Sequence, residues 1–199
     1  MEAEAKQPTG LREQKRRAQL AKIGEVGLRL FLEKGYEETT LTEIAEQAGI
    51  SRRTFFYYYA SKEEILMAWE GWKLSDDLAS GIFKGAASLS PAEAVQRCLL
   101  NMARERVDSR SLAIDNLMQS TEGLRARKQM TYVHVETLIY EALVKRYPRH
   151  EANGLRLVAA VSVTVWRTAR DRWHQAGDDH SFEWYLRKQF KFLAQAFGS

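Results

Sequence analysis

Cysteine occurs once in the 199 residues, at Cys98. An internal disulfide and a cysteine-built zinc site are therefore both excluded. Three prolines and twelve glycines are too few for the many turns of an all-β chain. No apolar run approaches the ~18 residues of a membrane span. Met1 to Gly10 is polar and unlike a signal peptide, so a cytoplasmic location with no membrane partner is expected. A phosphate loop, a G-x-G-x-x-G and a His-Glu-x-x-His are all missing. The histidines, His134, His150, His174 and His180, lack metal-ligand spacing. An enzyme reading thus has no residues to rest on, and neither metal nor catalytic cofactor is expected. Asp178-Asp179 reads as a solvated loop near a helix start.

Hydrophobic residues make up 45% of the chain, enough for a sizeable core. The net charge of +4 points toward nucleic acid only as a bulk number. Residues 1–73 carry twelve basic and twelve acidic side chains, so the excess lies further along. Placement says more. Residues 50–62 hold Arg52, Arg53 and Lys62 with no acidic residue. Arg12, Lys15, Arg16, Arg17 and Lys22 form a second basic run, broken only by Glu13.

Helical periodicity runs throughout and no strand alternation competes. Ile23, Val26, Leu30 and Phe31 share a face of a first helix from about Leu11 to Gly35. Thr40-Leu41-Thr42-Glu43 is a capping box, and Gly49 ends the short helix that it opens. Ser51 can cap the next helix, Arg52 to Tyr59. Ser61-Lys62-Glu63-Glu64 supplies another capping box. Ser90-Pro91 starts a later helix with proline at its first position. Further helices are predicted over about 110–119, from after Gly123 to Pro148, over 152–175 and from Phe182 to Phe197. About nine helices are expected, in an all-α chain.

Leu41 to Phe56 has the layout of a helix-turn-helix. Ala45 lets two helices approach, Gly49 makes the turn, and Ile50 plugs the space between them. The second helix then presents its N-terminal residues to base edges in the major groove. Arginine at that place can bond guanine O6 and N7 together. Lys62, opening the next helix, is placed for a backbone phosphate. Among the aromatics 55–59, Phe55 and Tyr59 should face the core together, with Phe56 packing as well. Tyr57 and Tyr58 should lie nearer solvent, beside the arginines. A ragged aromatic core is the alternative for this run.

From about residue 17 to 64, closing with Gly49-Ile50-Ser51, Thr54-Phe55-Phe56, Tyr59 and Ser61-Lys62-Glu63, the chain resembles the TetR family of transcriptional regulators. The resemblance implies a DNA-binding domain over 1–60 and a ligand-binding and dimerisation domain over 61–199. It implies DNA contacts from Thr40, Thr42, Ser51, Arg52, Arg53, Thr54, Tyr57, Tyr58 and Lys62. It also implies a homodimer on near-palindromic double-stranded operator DNA, released when a small-molecule effector binds. The chain departs from the family where tyrosine often stands at Phe56 and histidine at Tyr58, which leaves the exact contact list open. Whether the ligand releases or promotes DNA binding is open too. A helical ligand-binding protein with a vestigial DNA-binding module remains the other class. Residues 121–128 and 167–173 resemble a subgroup similar to the mycofactocin-system regulator, which implies an acyl-CoA-like effector; another apolar compound is the alternative.

The dimer is expected to form through the last two helices, with Val158, Ser162 and Val165 on one stripe and Phe182, Leu186, Phe190, Leu193 and Phe197 on the other. Effector contacts are expected from Met102, Leu117, Met118, Met130, His134, Trp166 and Arg170. Methionines adapt to irregular pockets, and Arg170 could meet a carboxylate or phosphate. Each of these also fits ordinary core packing or a surface ion pair. The basic run at 12–22 fits either a DNA-touching arm or a solvated helix face.

Overall fold

The computed structural model describes residues 9–84, 86–106, 109–176 and 180–197, and they form nine α-helices. These are α1 (Thr9–Lys34), α2 (Leu41–Gln47), α3 (Arg52–Tyr58), α4 (Lys62–Phe83), α5 (Pro91–Arg106), α6 (Ser109–Gln119), α7 (Glu122–Arg146), α8 (Ala152–Ala176) and α9 (Phe182–Phe197).

Local chemistry sets most of the boundaries. Gly35, at φ +94°, takes the left-handed conformation that ends α1. Thr40 Oγ1 accepts from the Glu43 N–H at 3.2 Å, while Glu43 Oε2 accepts from the Thr40 N–H at 3.0 Å. The same reciprocal pair joins Ser90 and Glu93 at the start of α5. Two starts differ from the sequence expectation. Ser61 makes no side-chain cap on α4; the Ala60 N–H instead donates to Glu64. Helix α7 begins before Gly123, because Thr121 accepts from the Leu124 N–H at 3.2 Å and draws Glu122 and Gly123 into the first turn.

Apolar side chains gather in two clusters. The smaller joins Leu20, Ile23, Leu28, Leu30 and Phe31 of α1 to Ile44, Phe55, Ile65 and Leu66, and it also takes Ile114, Met118 and Leu124. The larger lies among α4, α5, α7, α8 and α9, around Leu78, Ile82, Leu99, Ile139, Leu143, Leu155, Ala159, Trp173, Phe182 and Leu186. Helix α4 therefore spans both cores, its first turns in one and its last turns in the other. Helix α6 and the start of α7 reach into the smaller core from the body. Close approach of α1 to α4 requires Gly27: a Cβ there would stand 2.8 Å from Ile65 Cδ1.

Candidate nucleic-acid interface and a buried ion cluster

Helix α2 buries Ile44 and Ala45, and Ala48 follows them into the core. The chain then turns at Gly49, whose φ of +71° few other residues accept. The Ile50 N–H returns to the Ala45 carbonyl at 2.9 Å, which closes the turn. Ser51 starts α3 by accepting from the Thr54 N–H at 3.1 Å. On its inner side α3 anchors Phe55, and Tyr59 just beyond it donates its hydroxyl to the Leu20 carbonyl at 3.0 Å. Burial pushes the Tyr59 hydroxyl up to about 12, with Glu64 adding to the effect.

The outer side of α3 is what remains. Ser51, Arg52 and Arg53 are exposed, Thr54 and Tyr58 are half-buried, and Tyr57 is 73% exposed. Phe56 does not pack as expected; it is 46% exposed. Once Phe55 and Tyr59 take the core, Phe56 is turned about 100° away. It lies one turn on from Arg52, whose guanidinium stands 5.8 Å from its ring centroid. Thr40 and Thr42, at the start of α2, are also exposed. The Thr40 hydroxyl is engaged in its own cap, and Lys34 reaches the same Glu43 at 2.6 Å. Hydrogen bonds from Lys34 and then Thr40 hold the Glu43 carboxyl down at about 2.

Lys62 sits differently from the other cations. Its ammonium donates to the carbonyls of Tyr36 at 2.7 Å, Thr39 at 3.3 Å and Glu37 at 3.4 Å, and lies 4.2 Å from the Tyr36 ring centroid. Its three protons tie the α1–α2 loop to the start of α4.

The expected dimer stripes turn inward. Ser162, Val165, Phe182 and Leu186 are buried within the protomer, and Val158, Phe190 and Leu193 pack half-buried on the same core. The side chain of Phe197 lies outside the described residues. The most continuous apolar stripe of an amphipathic helix serves its own core first. The outward face of α8 is more mixed: Leu157, 65% exposed, continues through Val161, Thr164 and Thr168 at helical spacing. Helix α9 shows Trp184 and Phe192 to solvent.

The expected effector residues are not brought together. Met102 is buried in the larger core, whereas Met118 is buried and Leu117 half-buried in the smaller. Met130, 69% exposed, and His134 face solvent. Trp166 packs against Phe182 at 4.7 Å between ring centroids. Arg170 turns instead to an ion cluster that the sequence reading missed.

Its centre is Asp115 on α6, which is fully buried. Lys128 Nζ of α7 stands 2.5 Å from Asp115 Oδ1, and Arg170 Nε of α8 3.1 Å from Oδ2. His174, one turn further along α8, bonds the same oxygen. Arg170 also donates to the Ser111 carbonyl at 3.4 Å. Burial alone would push the Asp115 carboxyl up; Arg170, Lys128 and His174 outweigh it and hold it below its usual range. Asp115 and Lys128 are 13 positions apart and Arg170 lies 55 beyond Asp115; only the α6–α7–α8 packing makes them neighbours.

A shallow apolar hollow of about 300 Å³ lies between the starts of α5 and α8, lined by Pro91, His150, Leu155 and Val158 among others. No group of three or more metal-ligating side chains occurs among the described residues. No described helix is long and apolar enough to cross a membrane.

The profile of the bacterial regulatory proteins of the tetR family matches residues 23–68, the segment that holds the C-terminal part of α1 with α2, α3 and the first turns of α4. The transcriptional regulator TcmR of Streptomyces glaucescens is 28% identical over 179 residues, covering 85% of this chain and 79% of its own. MftR of Mycobacterium tuberculosis, named as a mycofactocin biosynthesis transcriptional regulator, is 46% identical over 43 residues, 22% of each chain. Among solved structures, the TetR-family repressor FadR of Thermus thermophilus, in complex with lauroyl-CoA, superimposes with a TM-score of 0.60 at 23% identity, covering 90% of this chain and 95% of its own. Residues 23–68, with the basic outer face of their helix-turn-helix, thus match the tetR family of bacterial regulatory proteins, and the helical body shares the fold of FadR.

Proposed function

We propose that the chain is a dimeric repressor of a near-palindromic operator, released by a small molecule that has an apolar body and an anionic end. One observation carries the DNA-reading part. Arg52, Arg53 and Tyr57 share the solvent face of a helix whose other face is locked by Phe55 and by the Tyr59–Leu20 bond. The two arginines read base edges and Tyr57 with Tyr58 meets the sugar-phosphate rail. Ser51, Thr54, Thr40 and Thr42 border that face, and Lys62 acts by holding the loop before α2 in place. The DNA-binding unit ends within α4 rather than before it, since Ile65 and Leu66 belong to its core.

The dimer forms through the outward faces of α8 and α9, with Leu157, Val161, Trp184 and Phe192 at its centre. Exposed aromatic and aliphatic side chains at helical spacing are the usual core of such a contact. For the effector we infer an acyl-CoA-like compound with an apolar body and an anionic end, the class to which the lauroyl-CoA in the similarly folded FadR belongs.

Selection from a random duplex pool tests the reading. A near-palindromic consensus, lost from the Arg52→Ala/Arg53→Ala variant, is the expected result. Binding without any preferred site, weakened uniformly by salt, would refute it. A binding screen should then favour amphiphiles with an anionic end over their uncharged analogues.

A further inference from the structure

Every described residue from Gly10 to Ala18 is exposed, and the first buried side chain of α1 is Leu20. At 1.5 Å per residue, α1 therefore runs on for about 13 Å with no face against the body. A solvated face of an amphipathic helix would have a buried face opposite; this stretch has none. It carries Arg12, Lys15, Arg16 and Arg17 against Glu13 alone, and Glu13 pairs with Arg17 at 3.1 Å. So short an isolated helix is marginal in water, and like charges crowded on it oppose its order.

Where this arm leaves the body is the second observation. Leu20 accepts the Tyr59 hydroxyl from the end of α3, and Lys22 Nζ lies 3.7 Å from the place of a Cβ on Gly49, in the helix-turn-helix turn. Helix α2 runs back along α1, with Lys34 at Glu43 and Arg29 at Gln47. The arm thus emerges at the turn from which the recognition helix starts.

We propose that the first turns of α1 form a DNA clamp, in which Arg12, Lys15, Arg16 and Arg17 meet phosphates flanking the bases read by α3. This rests on the reading of α3 as the recognition helix, yet it makes its own prediction. The arm adds affinity that is independent of sequence and sensitive to salt. Each side chain that meets a phosphate contributes about 0.9 to the slope of log affinity against log salt.

The test uses the full chain with Lys15→Gln, Arg16→Gln and Arg17→Gln combined, on the selected operator and on an unrelated duplex. The slope should fall by roughly 3 per engaged protomer on both duplexes. The selected consensus and the melting temperature should stay unchanged, and Arg16→Lys/Arg17→Lys should restore the slope. An unchanged slope on both duplexes overturns the clamp. So does an unchanged slope accompanied by lost binding to phosphatidylglycerol vesicles, which would give the arm to a membrane surface. If the wild-type protein selects no consensus, the α3 reading fails alone, because the unrelated duplex still measures the arm.

Discussion

Asp115→Asn removes one charge and almost no volume, so it isolates the electrostatics of the buried cluster. In the wild type the carboxylate lies against Lys128, Arg170 and His174, all largely buried. With an amide in its place, Lys128 and Arg170 face one another with no counter-charge from Asp115. Removing one partner of a buried ion pair typically costs about 3–5 kcal/mol. At about 2–4 °C per kcal/mol for a chain of this size, melting should fall by roughly 6–20 °C. Lys128→Met should cost less than half as much, because Asp115 keeps Arg170 and His174. The effect also carries a pH signature. The folded Asp115 carboxyl titrates below its unfolded value, so its stabilisation is complete above the unfolded value, about 3.9. It is lost as pH falls through the lower, folded value. The gap between wild type and Asp115→Asn should therefore be constant near neutrality and narrow below about pH 4. Thermal melting by circular dichroism from pH 7 to pH 3 measures it. A loss below about 1 kcal/mol at pH 7, or a gap that stays constant to pH 3, would refute the cluster as a stabilising charge centre.

Three further outcomes follow from the interface geometry. Arg52→Ala and Arg53→Ala should each weaken operator binding by about 1–3 kcal/mol and relax the base preference at one position, with the melting temperature unchanged; a uniform loss across all sequences would show phosphate contact instead. Thr40→Ala removes the α2 cap and should destabilise by about 1 kcal/mol. Because the Glu43 carboxyl is held at about 2 by Lys34 and Thr40, it is fully ionised at neutral pH, so that loss should persist unchanged between pH 6 and 8 in urea titrations. Leu157→Glu together with Phe192→Glu should give a folded monomer in sedimentation. Phe182→Glu, which strikes the protomer core, should unfold the chain instead, and an unaltered dimer in the first variant would move the interface elsewhere.

What could be read from the residues and what could not divide along one physical line. Caps, glycine turns and helical periodicity are local, so α2, the Gly49 turn, α3 and the Ser51 cap stood in the sequence nearly as they stand in space. The inward pair Phe55 and Tyr59 followed from their spacing of four. Phe56 did not, because an aromatic run shows that some rings must be exposed but not which ones; the anchoring of Tyr59 to Leu20 decides it. Lys62 had the right place for a phosphate, yet the carbonyls of Tyr36, Glu37 and Thr39 were waiting for it across the fold. Periodicity on α8 and α9 identified apolar stripes without saying what lies opposite them. The strongest stripes went to the protomer's own core, and the solvent-facing side of α8 kept the threonines. Asp115 illustrates the limit most plainly. In the sequence it is an acidic residue in an ordinary helix, with nothing near it to mark it as buried. Its neighbour Ile114 enters the core shared with the recognition helix, while Asp115 turns into the body toward α7 and α8. That carboxylate ties α6 to those two helices, and α6 also meets α1 at the partly exposed Arg110–Glu25 pair, 2.7 Å apart. The same residue that composition hides thus joins α6 to α7 and α8, one position along from a side chain that enters the core of α1, α2 and α3.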